Sequence, residues 1–229
     1  MIKADIQNIL FDLDGTLSNT EEGIVKSVQY ALADFSIKEE DTASLRRFIG
    51  PPLRESFCRF YGMTTEEAER AVRKYRERYE TVGVYENRLF DGVPEMLSAL
   101  RRAAKHLAVA TSKPTVFAKK VLQQHGIEGD FDLVVGAELD GRRDAKEEVI
   151  AEALRLLNIG EEARKHTVMV GDRSYDLNGG RAFGLKTVGL RLGFAAPGEL
   201  KACQPDFIAA DIAELTAYLL GEQKQNTTD

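Results

Sequence analysis

The sequence predicts an α/β protein whose open parallel sheet is interrupted once by an all-helical insertion. Short apolar segments rich in β-branched residues alternate with amphipathic segments over most of the chain. Such alternation is typical of parallel strands joined by crossover helices. It fails between Leu17 and about Arg88, where the pattern is helical throughout. These two observations together define the predicted fold class.

The predicted strands are short apolar runs bounded by polar or turn-forming residues, which is typical of strands buried in a sheet. They cover residues 6–11, 107–111, 133–135, 167–170, 187–190 and 207–208. Amphipathic helices are predicted at residues 93–104, 116–125, 147–157 and 175–183. The polar tail, 223–229, is expected to be frayed.

The insertion is predicted to contain four helices, at residues 21–34, 43–49, 53–61 and 65–79. The segment that begins with Thr64 and reaches Glu67 has the pattern of an N-terminal helix cap, and Gly50, Pro51 and Pro52 form a clear break.

Because the first strand ends just before the insertion, the insertion should lie above the carboxyl end of the sheet, where open α/β sheets bind ligands. We therefore expect a lid. The predicted division is a core of residues 1–17 and 89–229 and a cap of residues 18–88.

Composition narrows the possible functions. The 229 residues are 43% hydrophobic and 30% charged, as in soluble globular proteins, and the net charge is −6, so a nucleic-acid partner is disfavoured. The apolar run 9–11 stops at Asp12, far short of a signal peptide or membrane span. Cys58 and Cys203 have no metal-ligand spacing. We expect a cytoplasmic protein with no membrane partner, either a monomer or a weak homodimer.

Acidic residues follow two of the predicted strands. Asp12 and Asp14 end the first strand, and Asp172 and Asp176 follow the strand at 167–170. Carboxylates beside an apolar strand require a cation or strong donors, and a cluster of carboxylates suits Mg²⁺. The alternative for the first pair is a turn cap, and the alternative for the second is a helix N-cap formed by Asp172 or Ser174.

Two further strand ends carry residues that can bind phosphate. Thr111, Ser112 and Lys113 follow one strand, and Lys146 opens a helix. Each of these signals is weak alone, since hydroxyl residues before helices are mostly N-caps and lysines are mostly solvated. Their occurrence at successive strand ends together with the acids favours a phosphate site.

Taken together, these residues resemble the motifs of the haloacid-dehalogenase-like phosphatases. The first motif of that family, DxDGT, matches residues 12–16, and its fourth, GDxxxD, matches residues 171–176. Its second motif, a Thr or Ser, matches Thr111 or Ser112, and its third matches Lys146. The resemblance implies a Rossmann-like core and a cap of the C1 type.

The resemblance also implies roles for the acids. Asp12 would be the nucleophile that forms an aspartyl-phosphate, and Asp14 would be the general acid and then the general base. Mg²⁺ would be held by the carboxylates of Asp12 and Asp172 and the backbone carbonyl of Asp14, with Asp176 in support.

The substrate implied is a small phosphate ester. The residues that would bind its phosphate are Gly15, Thr16, Thr111, Ser112, Lys113 and Lys146, and those of the cap that could contact the rest of it are Asn19, Arg47 and Arg54. In many phosphoglycolate phosphatases of this type, Pro follows the third-motif Lys and Asp occupies the cap-entry position, whereas Glu147 and Asn19 stand here. Phosphoglycolate-like and nucleotide-like substrates therefore both remain open.

Other functions share part of this pattern. A phosphomutase shares every motif and differs only in returning the phosphoryl group to substrate. A signalling domain that accepts a phosphoryl group needs a long-lived phospho-aspartate, which Asp14 and the lid disfavour. A dehalogenase would lack the second acid of DxDGT, so Asp14 argues against it as well.

Overall fold

A computed structural model describes residues 6–222 of the chain, so the tail 223–229 lies outside the described part. Its strands are β1 Asn8–Phe11, β2 Ser18–Asn19, β3 Arg88–Leu89, β4 His106–Pro114, β5 Leu133–Ala137, β6 Thr167–Gly171, β7 Lys186–Leu190 and β8 Phe207–Ala209. Six of them form a parallel sheet in the order β5-β4-β1-β6-β7-β8. This confirms the predicted fold class and places all six predicted strands in one sheet.

The first strand lies at the centre of the sheet. Leu10 is in register with Ala108 of β4 on one side and with Met169 of β6 on the other. Because the side chains of a strand alternate between faces, Leu10 packs into one hydrophobic cluster while Phe11 packs into another. Strand β1 is therefore buried on both faces, and the acids that follow it start from the middle of the protein.

Helices cover both faces of the sheet. The core helices are α5 Val93–Arg102, α6 Thr115–Gln124, α7 Lys146–Leu156, α8 Glu161–Arg164, α9 Ser174–Ala182, α10 Glu199–Ala202 and α11 Ile212–Leu219. Helix α7 packs through Val149 and Ile150 into the cluster around Leu10. Helices α5, α6 and α11 contribute to the larger cluster on the opposite face. Parallel sheets need this covering on both sides because their strands are apolar throughout.

The inserted segment contains helices α1 Glu21–Ala33, α2 Thr42–Leu45, α3 Leu53–Tyr61 and α4 Thr65–Tyr79. The cap predicted at Thr64 is confirmed, since its hydroxyl accepts from the Glu67 N–H at 3.3 Å and its N–H donates to the Glu67 carboxylate at 2.8 Å. The helix predicted at 43–49 is shorter, because a 3-10 turn, Arg46–Phe48, follows α2 and the chain is then extended. The Gly50-Pro51-Pro52 segment ends the helical conformation there.

A two-stranded antiparallel ladder joins the inserted helices to the core. Strand β2 pairs with β3, with Ser18 opposite Leu89. The Ser18 hydroxyl also donates to the Asn87 side chain and the Arg88 carbonyl, each at 3.0 Å. Strands of two residues carry no periodicity, so the sequence does not indicate this ladder. It brings the two ends of the insertion together directly after the first acids.

Within residues 6–222, the structure has no helix with both the length and the apolarity that a membrane crossing requires.

Candidate active site

The turn after β1 carries the first two acids. It is closed by the Leu13 carbonyl, which accepts from the N–H groups of Leu17 and Ser18, both at 3.0 Å. Gly15 has a φ of +85°, a conformation that glycine adopts at little cost. The turn leaves Asp12 and Asp14 nearly buried, at 4% and 8% exposure. Neither carboxylate is therefore an ordinary solvated surface charge.

Three carboxylates converge beside this turn. Asp12, Asp172 and Asp176 are all buried, and one oxygen from each lies within 4.8 Å of the others. Asp172 directly follows β6, which is the neighbour of β1 in the sheet. The parallel arrangement thus brings together acids that are 160 residues apart in the chain.

The Asp172 carboxylate is held on both oxygens. The Thr16 hydroxyl donates to Oδ1 at 3.3 Å, and the Phe194 N–H donates to Oδ2 at 2.7 Å. A Cβ added to Gly15 would lie 2.3 Å from this carboxylate, and one added to Gly193 would lie 2.1 Å from it. Side chains at these two glycines would displace the acid. The alternative of Asp172 as a helix N-cap is wrong, because its oxygens are engaged here and not at the start of α9.

Asp176 sits at the start of helix α9. Its Oδ2 accepts from the Arg173 N–H at 3.0 Å, and Gly171 leaves room for the carboxylate, since a Cβ there would lie 2.2 Å from it. A side chain at Gly171 would therefore collide with the Asp176 carboxylate.

Lys146 connects two of the acids. Although it is the first residue of α7, its side chain is only 3% exposed, and its ammonium donates to Asp12 Oδ1 at 2.8 Å and to the Ala110 carbonyl at 3.1 Å. The same nitrogen lies 2.8 Å from Asp176 Oδ1. Burial opposes the charge, but the two carboxylates raise the pKa of Lys146 above its ordinary value. Lys146 is therefore a fixed positive charge next to Asp12.

The acids outnumber the positive charge around them. Burial, followed by the charges of Asp176 and Asp12, raises the pKa of Asp172 well above its ordinary value. Burial raises the pKa of Asp176 to about 6, with Asp12 adding to the effect and Lys146 opposing it. A buried group of three carboxylates beside one lysine lacks cationic charge, and hard oxygen donors are the ligands that Mg²⁺ takes. The donor set therefore fits a divalent cation.

Lys113 and Asp14 form a separate pair. The Lys113 ammonium donates to both oxygens of Asp14 at 2.8 Å, and it also lies 4.9 Å from the centre of the Tyr79 ring on α4. The structure therefore engages Lys113 with Asp14, whereas the sequence suggested a phosphate contact. The sequence did not predict Tyr79 as a site residue, because an aromatic residue at helical spacing usually belongs to the hydrophobic core.

The other residues predicted to contact phosphate fall into two groups, those that line the cavity and those that hydrogen-bond within the protein. Thr111 and Ser112 lie at the end of β4 and line the cavity that contains Asp12 and Asp14. Helix α6 begins only at Thr115, so neither residue is its N-cap. The Gly15 N–H donates to the Ser18 carbonyl, and the Thr16 hydroxyl donates to Asp172. In this structure, these last two residues support the acids.

This cavity lies between the core and the inserted helices and has a volume of about 280 Å³. Arg54, one of the three cap residues predicted to contact substrate, lines it. Asn19 lies outside it and accepts from the Glu21 N–H at 3.1 Å, and Arg47 lies outside it over the Phe60 ring, 4.3 Å from the centroid.

Comparisons with known proteins identify the family of this chain and several similar proteins. Residues 9–190 match the family model described as haloacid dehalogenase-like hydrolase. A 5'-nucleotidase from Pseudomonas aeruginosa is 47% identical over 212 residues, which are 93% of this chain and 95% of that protein. A crystal structure of "a predicted phosphatase" from Clostridium acetobutylicum superimposes with a TM-score of 0.90 at 41% identity, covering 94% of this chain and 98% of the other.

A third relative bears a different activity in its name. The tyrosine-protein kinase PtkA of Mycobacterium tuberculosis is 42% identical over 190 residues, which are 82% of this chain but only 63% of the kinase. The chain therefore spans less than two thirds of that protein. The family match extends across most of the sequence and includes all four motifs, and it confirms the resemblance inferred from them: this chain belongs to the haloacid dehalogenase-like hydrolase family.

Proposed function

We propose that this protein is a Mg²⁺-dependent phosphatase that hydrolyses small phosphomonoesters through an aspartyl-phosphate on Asp12. The observation that carries the proposal is the convergence of Asp12, Asp172 and Asp176, each of which places one carboxylate oxygen within 4.8 Å of the others. Lys146 donates a hydrogen bond to Asp12, and Asp14 follows Asp12 by two residues. The family match and the names of the phosphatase and nucleotidase relatives support it.

In the first half of the proposed reaction, a carboxylate oxygen of Asp12 attacks the phosphorus of the ester. The bond between phosphorus and the ester oxygen breaks, and Asp14 gives a proton to the departing alkoxide. Lys146 fixes the orientation of the nucleophile by its bond to Asp12 Oδ1, so the other oxygen is free to be aimed at the phosphorus.

In the second half, Asp14 removes a proton from water, and the resulting hydroxide attacks the phosphorus. The bond between phosphorus and Asp12 breaks, inorganic phosphate leaves, and Asp12 returns to its free form. One group therefore serves as acid and then as base, which requires it to remain close to both the ester oxygen and the water. The position of Asp14 in the same cavity as Asp12 supports this role.

The proposed metal ligands are the carboxylates of Asp12 and Asp172 and the backbone carbonyl of Asp14, with Asp176 in support. When bound, Mg²⁺ would supply positive charge against the phosphoryl oxygens. Lys146 and the hydroxyls of Thr111 and Ser112 would supply further positive charge and donors from this chain.

The inserted helices are proposed to act as the lid of this site and to limit substrate size. They line the cavity over Asp12 and Asp14 through Arg54, Tyr75 and Tyr79, among other side chains. A covered cavity excludes water and admits small esters more readily than a phosphoprotein. We propose a cytoplasmic enzyme acting on small molecules.

The test of this proposal is hydrolysis of p-nitrophenyl phosphate by the whole protein, with Mg²⁺ and with EDTA. We expect turnover that requires Mg²⁺ and that falls at least 1,000-fold in Asp12→Asn, because an amide is not a nucleophile. Acid-quenched wild-type enzyme should carry covalent phosphate, which mass spectrometry would locate at Asp12. Turnover that survives EDTA or Asp12→Asn would refute the proposal.

A further inference from the structure

Two arginines form hydrogen bonds between the core and the inserted helices. From α4, Arg76 donates to the Leu139 carbonyl at 2.8 Å. From the core, Nη1 of Arg173 donates to the Ile49 carbonyl at 2.5 Å. Leu139 follows β5 and Arg173 follows β6, and these strands lie on opposite sides of β1 in the sheet. The two bonds therefore hold the inserted helices from either side of β1.

The two bonds involve different parts of the core. The loop that contains Leu139 carries none of the proposed metal ligands. Arg173, in contrast, stands between Asp172 and Asp176 in the chain, and its own N–H donates to Asp176 Oδ2 at 3.0 Å. Arg173 therefore contacts the acid cluster through its backbone and the inserted segment through its side chain.

The side chain of Arg173 is held in place on the core side as well. Its Nε donates to Glu199 Oε1 at 3.1 Å, and the same oxygen accepts from the Ser174 N–H at 2.8 Å. Only 14% of the Arg173 side chain is exposed. Because the donors of a guanidinium are fixed relative to one another, the bond from Nε to Glu199 directs Nη1 towards Ile49. The position of this donor therefore follows the position of the loop after β6.

The segment that Arg173 contacts belongs to the active-site cavity. A Cβ at Gly50 would lie 3.4 Å from both Cγ and Nη1 of Arg173, so the chain passes close to the arginine there. Residues 50–54 all line the cavity that contains Asp12 and Asp14. Two of these residues are prolines, whose fixed φ angles stiffen the segment. A shift at Ile49 should therefore displace this part of the cavity wall.

A cation at the acid cluster should strengthen the bond from Arg173 to Ile49. Without a cation, the buried carboxylates of Asp12, Asp172 and Asp176 repel one another. A bound divalent cation would remove this repulsion and fix the loop that carries Arg173. A donor that is already ordered loses less conformational entropy when it forms its hydrogen bond. Such an effect is reciprocal, so docking of the inserted helices should also favour the cation.

We propose that Arg173 is a positioning residue that couples Mg²⁺ binding to the docking of the inserted helices over the active site, through its hydrogen bond to the Ile49 carbonyl. This inference rests on the proposed function, since it takes Asp172 as a metal ligand and Asp176 as its support. Arg173 acts on the cavity wall at residues 50–54 and takes no part in the bonds that are made or broken.

The test is amide hydrogen exchange of the whole protein, followed by mass spectrometry, with and without Mg²⁺. In the wild type, we expect Mg²⁺ to slow exchange in peptides from residues 46–58 by about fivefold or more, the lower end of typical coupling between two sites. In Arg173→Met, this slowing should be lost, whereas peptides from residues 168–180 should still respond to Mg²⁺. No slowing at residues 46–58 in the wild type would overturn the inference.

The response at residues 168–180 separates coupling from damage to the metal site. If Arg173→Met lost the Mg²⁺ response there as well, Arg173 would be part of the metal site itself and the proposed link would be wrong.

The matched control is Arg76→Met, which also removes an arginine that donates to a backbone carbonyl between the core and the inserted helices. Since Leu139 lies outside the acid cluster, Arg76→Met should keep the Mg²⁺-dependent slowing at residues 46–58. Equal slowing in the Arg173 and Arg76 variants would overturn the inference.

A second variant guards against misfolding of Arg173→Met. Lysine has a single ammonium, which prefers the Glu199 carboxylate to the neutral Ile49 carbonyl. Arg173→Lys should therefore keep the contact within the core and lose the Mg²⁺-dependent slowing at residues 46–58. If Arg173→Met does not fold, slowing of the wild-type size in Arg173→Lys would overturn the inference.

The failure of this inference is distinguishable from the failure of the proposed function. Hydrolysis of p-nitrophenyl phosphate that requires Mg²⁺ and Asp12, combined with slowing of the wild-type size in the Arg173 variants, would overturn the link alone. Hydrolysis that is independent of Asp12, combined with loss of the slowing in those variants, would remove the proposed reaction and leave the link in place.

Discussion

The ammonium of Lys113 lies 2.8 Å from each carboxylate oxygen of Asp14, and the two side chains are only 4% and 11% exposed. The register of β4 and β5 shifts between Thr111 and Pro114, and the Lys113 carbonyl approaches Gly136 so closely that a Cβ there would lie 2.1 Å from it. This irregular strand end positions the lysine against the proposed acid. Lys113 therefore fixes the orientation of the residue that we propose as the general acid and base.

Removing this lysine should affect both stability and turnover. Lys113→Met would leave a buried carboxylate without its partner, which we expect to lower the free energy of unfolding by about 3 kcal/mol. Asp14 would also lose its fixed orientation, so kcat for p-nitrophenyl phosphate should fall at least tenfold. Urea unfolding and steady-state kinetics would measure the two effects.

The control for this prediction is Lys119→Met, which changes an exposed lysine on α6. It should shift neither quantity measurably. Equal behaviour of the two variants would show that the buried pair has no special role.

The space around Asp172 can be tested at Gly193. A Cβ there would lie 2.1 Å from Asp172 Oδ2, so Gly193→Ala should displace this proposed metal ligand. We expect the Mg²⁺ concentration for half-maximal activity to rise about tenfold, the lower end of the range for residues that support metal ligands. Gly129→Ala is the matched control, because nothing lies within 4 Å of a Cβ at that position. A normal Mg²⁺ requirement in Gly193→Ala would contradict the proposed role of Asp172.

Stability should depend on pH and Mg²⁺ together. The folded protein raises the pKa of Asp176 to about 6, from an ordinary value of 3.8. The folded state therefore binds this proton more tightly than the unfolded state does, so the stabilisation is fully present below pH 3.8 and is lost as the pH rises through about 6. The raised pKa of Asp172 acts in the same direction.

A bound cation should oppose this loss, because it replaces the protons. We expect the rise in Tm on adding Mg²⁺ to be larger at pH 7.5 than at pH 5.0, and differential scanning fluorimetry would measure it. In Asp172→Asn, the rise in Tm on adding Mg²⁺ should differ less between the two pH values. A rise in Tm that is the same at both pH values would argue against metal binding by these carboxylates.

The start of the lid helix α4 offers a prediction on stability alone. The Thr64 hydroxyl accepts from the Glu67 N–H, and removing such a cap costs about 1 kcal/mol. Thr64→Ala should therefore lower the free energy of unfolding by that amount, whereas Thr65→Ala, one residue into the helix, should change it by less than half as much. Urea denaturation would compare them. Equal losses would show that the cap does not contribute.

The fold class was predictable from the sequence alone, and so were the acids that we propose as the reacting groups. Short apolar runs predicted six strands, and the structure pairs all six in one parallel sheet. A strand that is buried on both faces needs apolar residues throughout, so its sequence is easy to recognise. The acids at two strand ends were identifiable for the same reason, since Asp12 directly follows an apolar run and Asp172 follows another after a single glycine. Each of these patterns involves only neighbouring residues, so a single sequence is enough to recognise it.

The contacts between distant side chains could not be predicted without the three-dimensional fold. The partners of Asp14 and Asp172 are Lys113 and the Phe194 N–H, at separations of 99 and 22 residues, and no local pattern encodes either contact. The edge-to-face contact between Tyr79 on α4 and Phe117 on α6 likewise joins residues 38 positions apart, and helical spacing alone does not predict it. Hydrogen bonds and packing between distant segments depend on the folded path of the chain, and they set the chemistry of this site.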